Sequence, residues 1–356
     1  MRPPAVHPWR SRRGRASTAI VAGAAVLATV VAVNQHPSAS PVPPKVAAVA
    51  AASTTQRSAA TPSATQEQHS GMQVLHARFH FTDESLQHSG VPALSTASGI
   101  LIDPDSGTIL WEKDPHVARP LASTTKILTA IVALENLSPD QTVAVTPDAL
   151  NQAADETRLG MAAGDHYTVT ELLTAMLLIS ANDAASALAV DTVGLTRFVE
   201  AMNEQVTALG LHDSRFTNPV GLDDPGELSS PYDLAVLGLA AYQNLPLFRR
   251  IVGTHDIDVP PTSGHIAYHL HNINRLLEIY PPALGIKPGY TGDAGYCLVM
   301  LAQRSGQQLV GVLMDDPHLA TDARALLEWG FRQEGLPPLA TPTPSPSPSP
   351  TPKPRR

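Results

Sequence analysis

Apolar residues first gather in two short runs, 99–103 and 108–111, joined by Pro104-Asp105-Ser106-Gly107. Runs of this length around turn-forming residues predict a β-hairpin. The spacing then becomes helical. Ile127, Leu128, Ile131, Val132 and Leu134 recur every three or four residues, which predicts a helix over 123–137. The same test makes 168–209 and 232–242 mostly helical, with Gly and Pro interrupting over 218–226. Strand-like runs return at 296–303 and 309–314 around Ser305-Gly306, a second hairpin, and an amphipathic helix over 323–331 closes the pattern. Strands at both ends with helices between them predict an α+β fold: a mixed, mainly antiparallel sheet flanked by helices, with a helical insert.

Outside 91–334 this patterning fades. Arg10, Arg12, Arg13 and Arg15 precede an uncharged apolar stretch over 16–33, the layout of a secretory signal or an N-terminal anchor held positive-inside, so residues 1–33 place the remainder outside the cytoplasm. Residues 34–90 are rich in Ala, Ser, Thr, Gln and Pro and read as a disordered spacer. Residues 335–356 alternate Thr or Ser with Pro, a polyproline-type tail with no expected membrane anchor. Contact with a membrane is therefore expected only through the N-terminal segment.

Charge and cysteine content narrow the choices further. A net charge of -8 over 356 residues, with no acidic block and no basic stripe in the central region, argues against nucleic acid as a partner on electrostatic grounds. The single cysteine, Cys297, excludes an internal disulfide framework and a multi-thiolate zinc site, and its apolar surroundings predict a buried thiol. His265, His269 and His271 have partly ligand-like spacing but no acidic or thiolate ligand beside them in sequence, so no metal and no cofactor is expected.

Five lysines stand among 24 basic residues, and one of them, Lys126, has a serine three positions earlier. Positions i and i+3 share a helix face, so Lys126 can reach Ser123 and serve as its base, which an arginine cannot do. Ser123 would also sit at a helix N-terminus, where free N–H groups stabilise developing negative charge. Two further patterns follow in order: Ser180-Ala181-Asn182 after an apolar run, and Lys287-Pro288-Gly289 before the Cys297 strand. Each is weak alone; the ordered triple is the known signature of penicillin-binding proteins and class A β-lactamases.

PLASTTKILTA (120–130), LISANDAA (178–185) and GIKPGYTGDAGY (285–296) together resemble the three site motifs of the serine D-alanyl-D-alanine carboxypeptidases, and the likeness extends over 91–332. The resemblance implies the penicillin-binding, β-lactamase-like transpeptidase fold. It implies that Ser123 attacks the carbonyl between two terminal D-alanines, that Lys126 takes its proton, and that Ser180 relays a proton to the departing amine. Asn182 would hold the substrate's peptide carbonyl. Lys287 and the Thr291 hydroxyl would face the terminal carboxylate, Gly289 belongs to the same strand motif, and the N–H groups of Ser123 and Tyr290 would form the oxyanion hole. The implied partners are peptidoglycan peptides ending in D-Ala-D-Ala, with β-lactams as inhibitors.

Pro288 departs from the family pattern, which places Thr or Ser between Lys and Gly, and removes a hydroxyl and an N–H. An edge strand tolerates this, and Thr291 is expected to compensate. Three rivals remain. A β-lactamase would need a glutamate-held water, and no Glu with a nearby Asn follows Asn182, since Glu200 and Glu204 fall in helical periodicity. An endopeptidase or transpeptidase of the same fold would use the same residues. A non-catalytic wall-binding protein is disfavoured by retention of Ser123, Lys126, Ser180, Asn182 and Lys287 together.

Overall fold

The computed structural model describes residues 72–82, 89–153 and 156–339. The N-terminal basic and apolar segment and the Ser/Pro repeat of the tail lie outside the described residues.

The first hairpin forms as the pattern predicts: β1 (Ser98–Asp103) and β2 (Thr108–Lys113). Asp103 closes the turn, its carboxylate accepting from the Asp105 N–H at 2.9 Å and the Ser106 hydroxyl at 2.6 Å. A 3-10 turn (Ala122–Thr125) leads into α1 (Lys126–Asn136). Two three-residue strands, β3 (Thr142–Ala144) and β4 (His166–Thr168), form a small separate ladder. Next come α2 (Val169–Leu178), α3 (Asn182–Val190), α4 (Leu195–Leu209), α5 (Pro231–Asn244) and α6 (Pro246–Val252). Thr168 and Glu171 make a reciprocal capping box at the start of α2, satisfying two otherwise orphan N–H groups. A second hairpin, β5 (Asp256–Val259) with β6 (Tyr268–His271), and the short α7 (Arg275–Ile279) precede the closing strands β7 (Ala283–Thr291), β8 (Gly295–Arg304) and β9 (Gln307–Met314) and the last helix, α8 (Leu319–Gln333).

The main sheet has the order β2-β1-β9-β8-β7, so the first hairpin docks on the last strand in sequence. All its ladders are antiparallel. The expected mixed character reduces, among the described residues, to one isolated parallel bridge between Thr82 and Thr108. The β1–β2 hairpin and the β7–β8 and β8–β9 turns need no crossover helix, which is what a parallel pair would require.

Alternate side chains of the central strands enter two cores. Ile100, Ile102, Val299, Leu301, Val310 and Val312 face α1 to α6; Leu101, Leu298, Met300, Leu309 and Leu313 face α7 and α8, around the fully buried Trp329. Both sheet faces are thus covered, and the middle strands read as continuous apolar runs rather than alternating ones.

Residues 72–82 depart from the spacer that composition predicts for them. Phe81 is 9% exposed, stacks on Phe79 at 6.0 Å and meets the edge of Tyr232 at 5.6 Å, while both backbone groups of Leu75 bond the Gln205 amide. A few aromatic anchors are enough to fix a segment whose average composition is polar.

Candidate active site

Ser123 lies in the 3-10 turn before α1, and Lys126 begins the helix one turn later. Lys126 Nζ is 2.8 Å from Ser123 Oγ and donates to the Val220 carbonyl at 2.6 Å. The side chain is completely buried. Burial above all, then the positive charge of Lys287, hold Lys126 well below the usual amine range, against the raising effect of the Glu156 and Glu227 carboxylates. A neutral amine keeps its N–H groups for Val220 and turns its lone pair to the serine proton, which is what a general base requires.

The turn is held from behind by the 217–227 loop. The Asn218 side-chain oxygen accepts from the N–H groups of Val220, Gly221 and Leu222, fixing the carbonyl that Lys126 uses. Glu227, 2% exposed, accepts from the Thr125 hydroxyl at 2.6 Å and the Thr217 N–H at 2.6 Å. Burial pushes its carboxyl up despite these bonds. Gly221 has φ +81°, and a Cβ there would collide with the Ala122 carbonyl.

The second motif enters from the turn between α2 and α3. Ser180 has φ +63°, and its buried hydroxyl makes no hydrogen bond among the described residues. Asn182 starts α3; its backbone N–H donates to the Thr157 carbonyl at 2.8 Å and its Nδ2 to Glu156 at 2.6 Å.

The third motif is β7, an edge strand of the main sheet, where Pro288 pairs in register with Leu298. An edge accommodates the missing N–H, as expected. A Cβ on Gly289 would lie 2.8 Å from the Ser123 nitrogen, so glycine lets the strand approach the Ser123 turn. Lys287 is fully buried and donates to the Pro288 carbonyl at 3.0 Å; burial lowers its amine to about 7. Tyr290 is exposed and stands against Tyr296 across the hairpin, ring centroids 4.4 Å apart. Thr291 differs from expectation, because its hydroxyl donates to Asp223 at 2.5 Å and accepts from the Ala294 N–H at 3.1 Å.

A cleft of about 1050 Å³ joins these elements; Ser123, Ser180, Asn182, Gly289, Tyr290 and Thr291 all line it. Lys126 and Lys287 stand behind its wall. Sequence reasoning found neither Glu156 nor Asp223, and it took 218–222 into the family likeness without giving that stretch a role. Glu156 precedes the second motif, outside the stretch searched for a glutamate, and Glu200 and Glu204 pair with Arg197 on α4.

The remaining sequence candidates fall elsewhere. Cys297 is fully buried, its thiol pushed up to about 12 by burial. His269 and His271, without acidic neighbours in sequence, have them in space: Asp258 and Asp256 each 2.8 Å away and Glu278 at 3.0 Å. His265 stacks on Tyr167 at 4.5 Å.

A family profile described as D-alanyl-D-alanine carboxypeptidase matches residues 85–318. The D-alanyl-D-alanine carboxypeptidase DacB2 of Mycobacterium tuberculosis is 36% identical over 262 residues, covering 70% of this chain and 88% of that protein. The enzyme DacF of Bacillus subtilis is 33% identical over 61% of this chain, which spans 56% of that longer relative. Among solved structures, a D-alanyl-D-alanine carboxypeptidase from Mycobacterium tuberculosis has a TM-score of 0.65 at 34% identity, covering 72% of this chain and 97% of that one. A Streptomyces DD-transpeptidase has a TM-score of 0.65 at 31% identity, covering 68% and 100%.

Proposed function

We infer the chemistry from one premise: the chain belongs to the D-alanyl-D-alanine carboxypeptidase family and acts as a serine-type D-Ala-D-Ala carboxypeptidase in peptidoglycan metabolism. In the proposed mechanism Ser123 Oγ attacks the carbonyl between the terminal D-alanines while its proton passes to Lys126. The developing oxyanion sits against the N–H groups of Ser123 and Tyr290. Ser180, whose hydroxyl is otherwise uncommitted, relays the proton taken up by Lys126 to the departing D-Ala amine, and Asn182 aligns the peptide. Gly289 keeps β7 close enough to flank the substrate. Water then releases the acyl group. The observation that carries this reading is the 2.8 Å contact between Ser123 and a completely buried lysine. β-lactams would acylate the same serine.

The site is proposed to work outside the cytoplasm, delivered by the basic and apolar segment over 1–33 acting as a secretion signal or anchor. Intact-mass detection of a benzylpenicillin adduct, with Ser123→Ala as control, together with D-Ala release from a D-Ala-D-Ala peptide, tests the whole scheme. Folded protein that gives neither adduct nor D-Ala would leave the non-catalytic wall-binding reading in its place.

One observation favours a second substrate for the same residues. Pro288 supplies no hydroxyl, and the Thr291 hydroxyl donates to the Asp223 carboxylate, whose charge opposes a substrate carboxylate nearby. Cross-linked peptides whose acceptor residue carries an amide, or no carboxyl group, at that position avoid the repulsion. Comparing turnover of a linear D-Ala-D-Ala peptide with a cross-linked dimer separates the two; a large preference for the linear peptide would eliminate cleavage of cross-links.

A further inference from the structure

Glu156 lines the same cleft as Ser123 and Ser180, yet no step above uses it. One carboxylate oxygen accepts from Asn182 Nδ2 at 2.6 Å, and the other from the Ala153 N–H at 2.8 Å. Its loop is fastened to the start of α3 by further bonds. Asn182 N–H donates to the Thr157 carbonyl, and the Asp183 carboxylate accepts the N–H groups of Leu159 and Gly160, both at 2.9 Å. The glutamate is therefore oriented by its own loop and aimed at a motif side chain.

We propose that Glu156 is a positioning residue of the Ser123 site: it fixes the orientation of the Asn182 amide toward the substrate and holds a negative charge in the wall of the cleft that Ser123 lines. The inference rests on the function proposed above. An asparagine amide can turn over, exchanging oxygen for nitrogen, and the two orientations offer a substrate opposite hydrogen-bonding faces. An amide oxygen facing the Glu156 carboxylate would set two acceptors against each other, so one orientation survives. The second amide N–H and the oxygen are left to the cleft.

The charge acts on the base. Lys126 is contacted by Ser123 from its own turn and by the Val220 carbonyl from the 217–227 loop, and it feels the charges of Lys287 from β7, Glu227 from the 217–227 loop and Glu156 from the loop before β4. Lys287 drives the proton off Lys126; the two carboxylates retain it. Glu227 is engaged by Thr125, Thr217 and Asn218, whereas Glu156 touches the site through Asn182. Removing the Glu156 charge makes Lys126 give up its proton at lower pH.

Glu156→Gln and Glu156→Ala in the full chain separate the two roles. Glutamine keeps an acceptor for Asn182 and loses the charge, so KM should stay within about twofold while the acidic limb of kcat/KM moves down by about 0.5–1 pH unit. Alanine loses both, and KM should also rise about tenfold. A second measurement is independent of turnover: titration of the lysine side chains by ¹³Cε NMR, tractable because the chain has five lysines, with Lys126→Arg to assign the resonance. The Lys126 transition should move to lower pH in both variants. An unmoved transition, or an unchanged KM in Glu156→Ala, overturns the proposal. Should the unaltered protein form no penicillin adduct, the enzymatic reading fails, and the NMR titration still decides whether Glu156 acts on Lys126.

Discussion

At the scale of single residues the site depends on a cation that spends part of its time uncharged. Replacing Lys126 by arginine keeps the charge and the reach but removes the ability to lose a proton. Lys126→Arg should lower penicillin acylation about 100- to 10,000-fold, read by the rate of adduct formation in intact-mass spectra. The pH dependence has a defined sign. The proposed mechanism requires the neutral amine, so activity should fall as pH drops through the lowered Lys126 transition, and Ser123→Ala should be inactive at every pH with an unchanged melting temperature. Pro288→Thr restores a hydroxyl beside the cleft. One added hydrogen bond to a substrate carboxylate is worth about 0.5–1.5 kcal/mol, so D-Ala release from a linear peptide should rise about 2- to 10-fold. An unchanged rate would mean that the carboxylate is held elsewhere.

At the scale of elements, the nucleophile's turn is clamped between β7 and the 217–227 loop, and two glycines mark how closely they approach. Gly289→Ala places a methyl 2.8 Å from the Ser123 nitrogen. The edge strand must move outward, so acylation should fall at least about tenfold while melting shifts little; a normal rate would show that β7 and the turn separate freely. Gly221 is different, since its positive φ and the blocked Ala122 carbonyl admit no such relief. On the other sheet face Leu326 is fully buried in the α7–α8 core. Leu326→Ala should destabilise by about 2–5 kcal/mol, measured by denaturant unfolding, with acylation of the remaining folded protein unaffected.

For the whole molecule, two buried lysines couple stability to pH. Each binds fewer protons folded than unfolded, because burial lowers its amine, to about 7 for Lys287. Stability therefore rises with pH above the folded transition, by up to about 1.4 kcal/mol per unit per group. Unfolding measured between about pH 7 and 8, below the thiol and phenol transitions of the unfolded chain, should show this slope, and Lys287→Met should flatten it. Residues 72–82 belong to the same cooperative unit: a chain beginning at residue 90 should melt lower than one beginning at residue 72, because Phe81 and the Leu75–Gln205 bonds are lost. The first hairpin, α1, the β8–β9 hairpin and α8 were legible because each is local: a period of two or of three to four residues, ended by a turn former. The pairs Ser123–Lys126 and Ser180–Asn182 were legible for the same reason, one turn of backbone bringing their members together. The Gly and Pro content of β7 hid it from the periodicity, and it entered as an edge strand only through the family resemblance; pairing with β8 makes it a strand regardless of propensity. Val220, Glu227, Asp223 and Glu156 come from loops tens of residues from the groups they touch. The sequence alone determined the chemical class and singled out Ser123 and Lys126 as the proposed nucleophile and base, because those are short-range relations of spacing and residue type. Only the tertiary structure decided which carboxylates surround the base, what the Thr291 hydroxyl holds and how deeply the lysines are buried, because desolvation and through-space charge depend on distances that chain order does not encode.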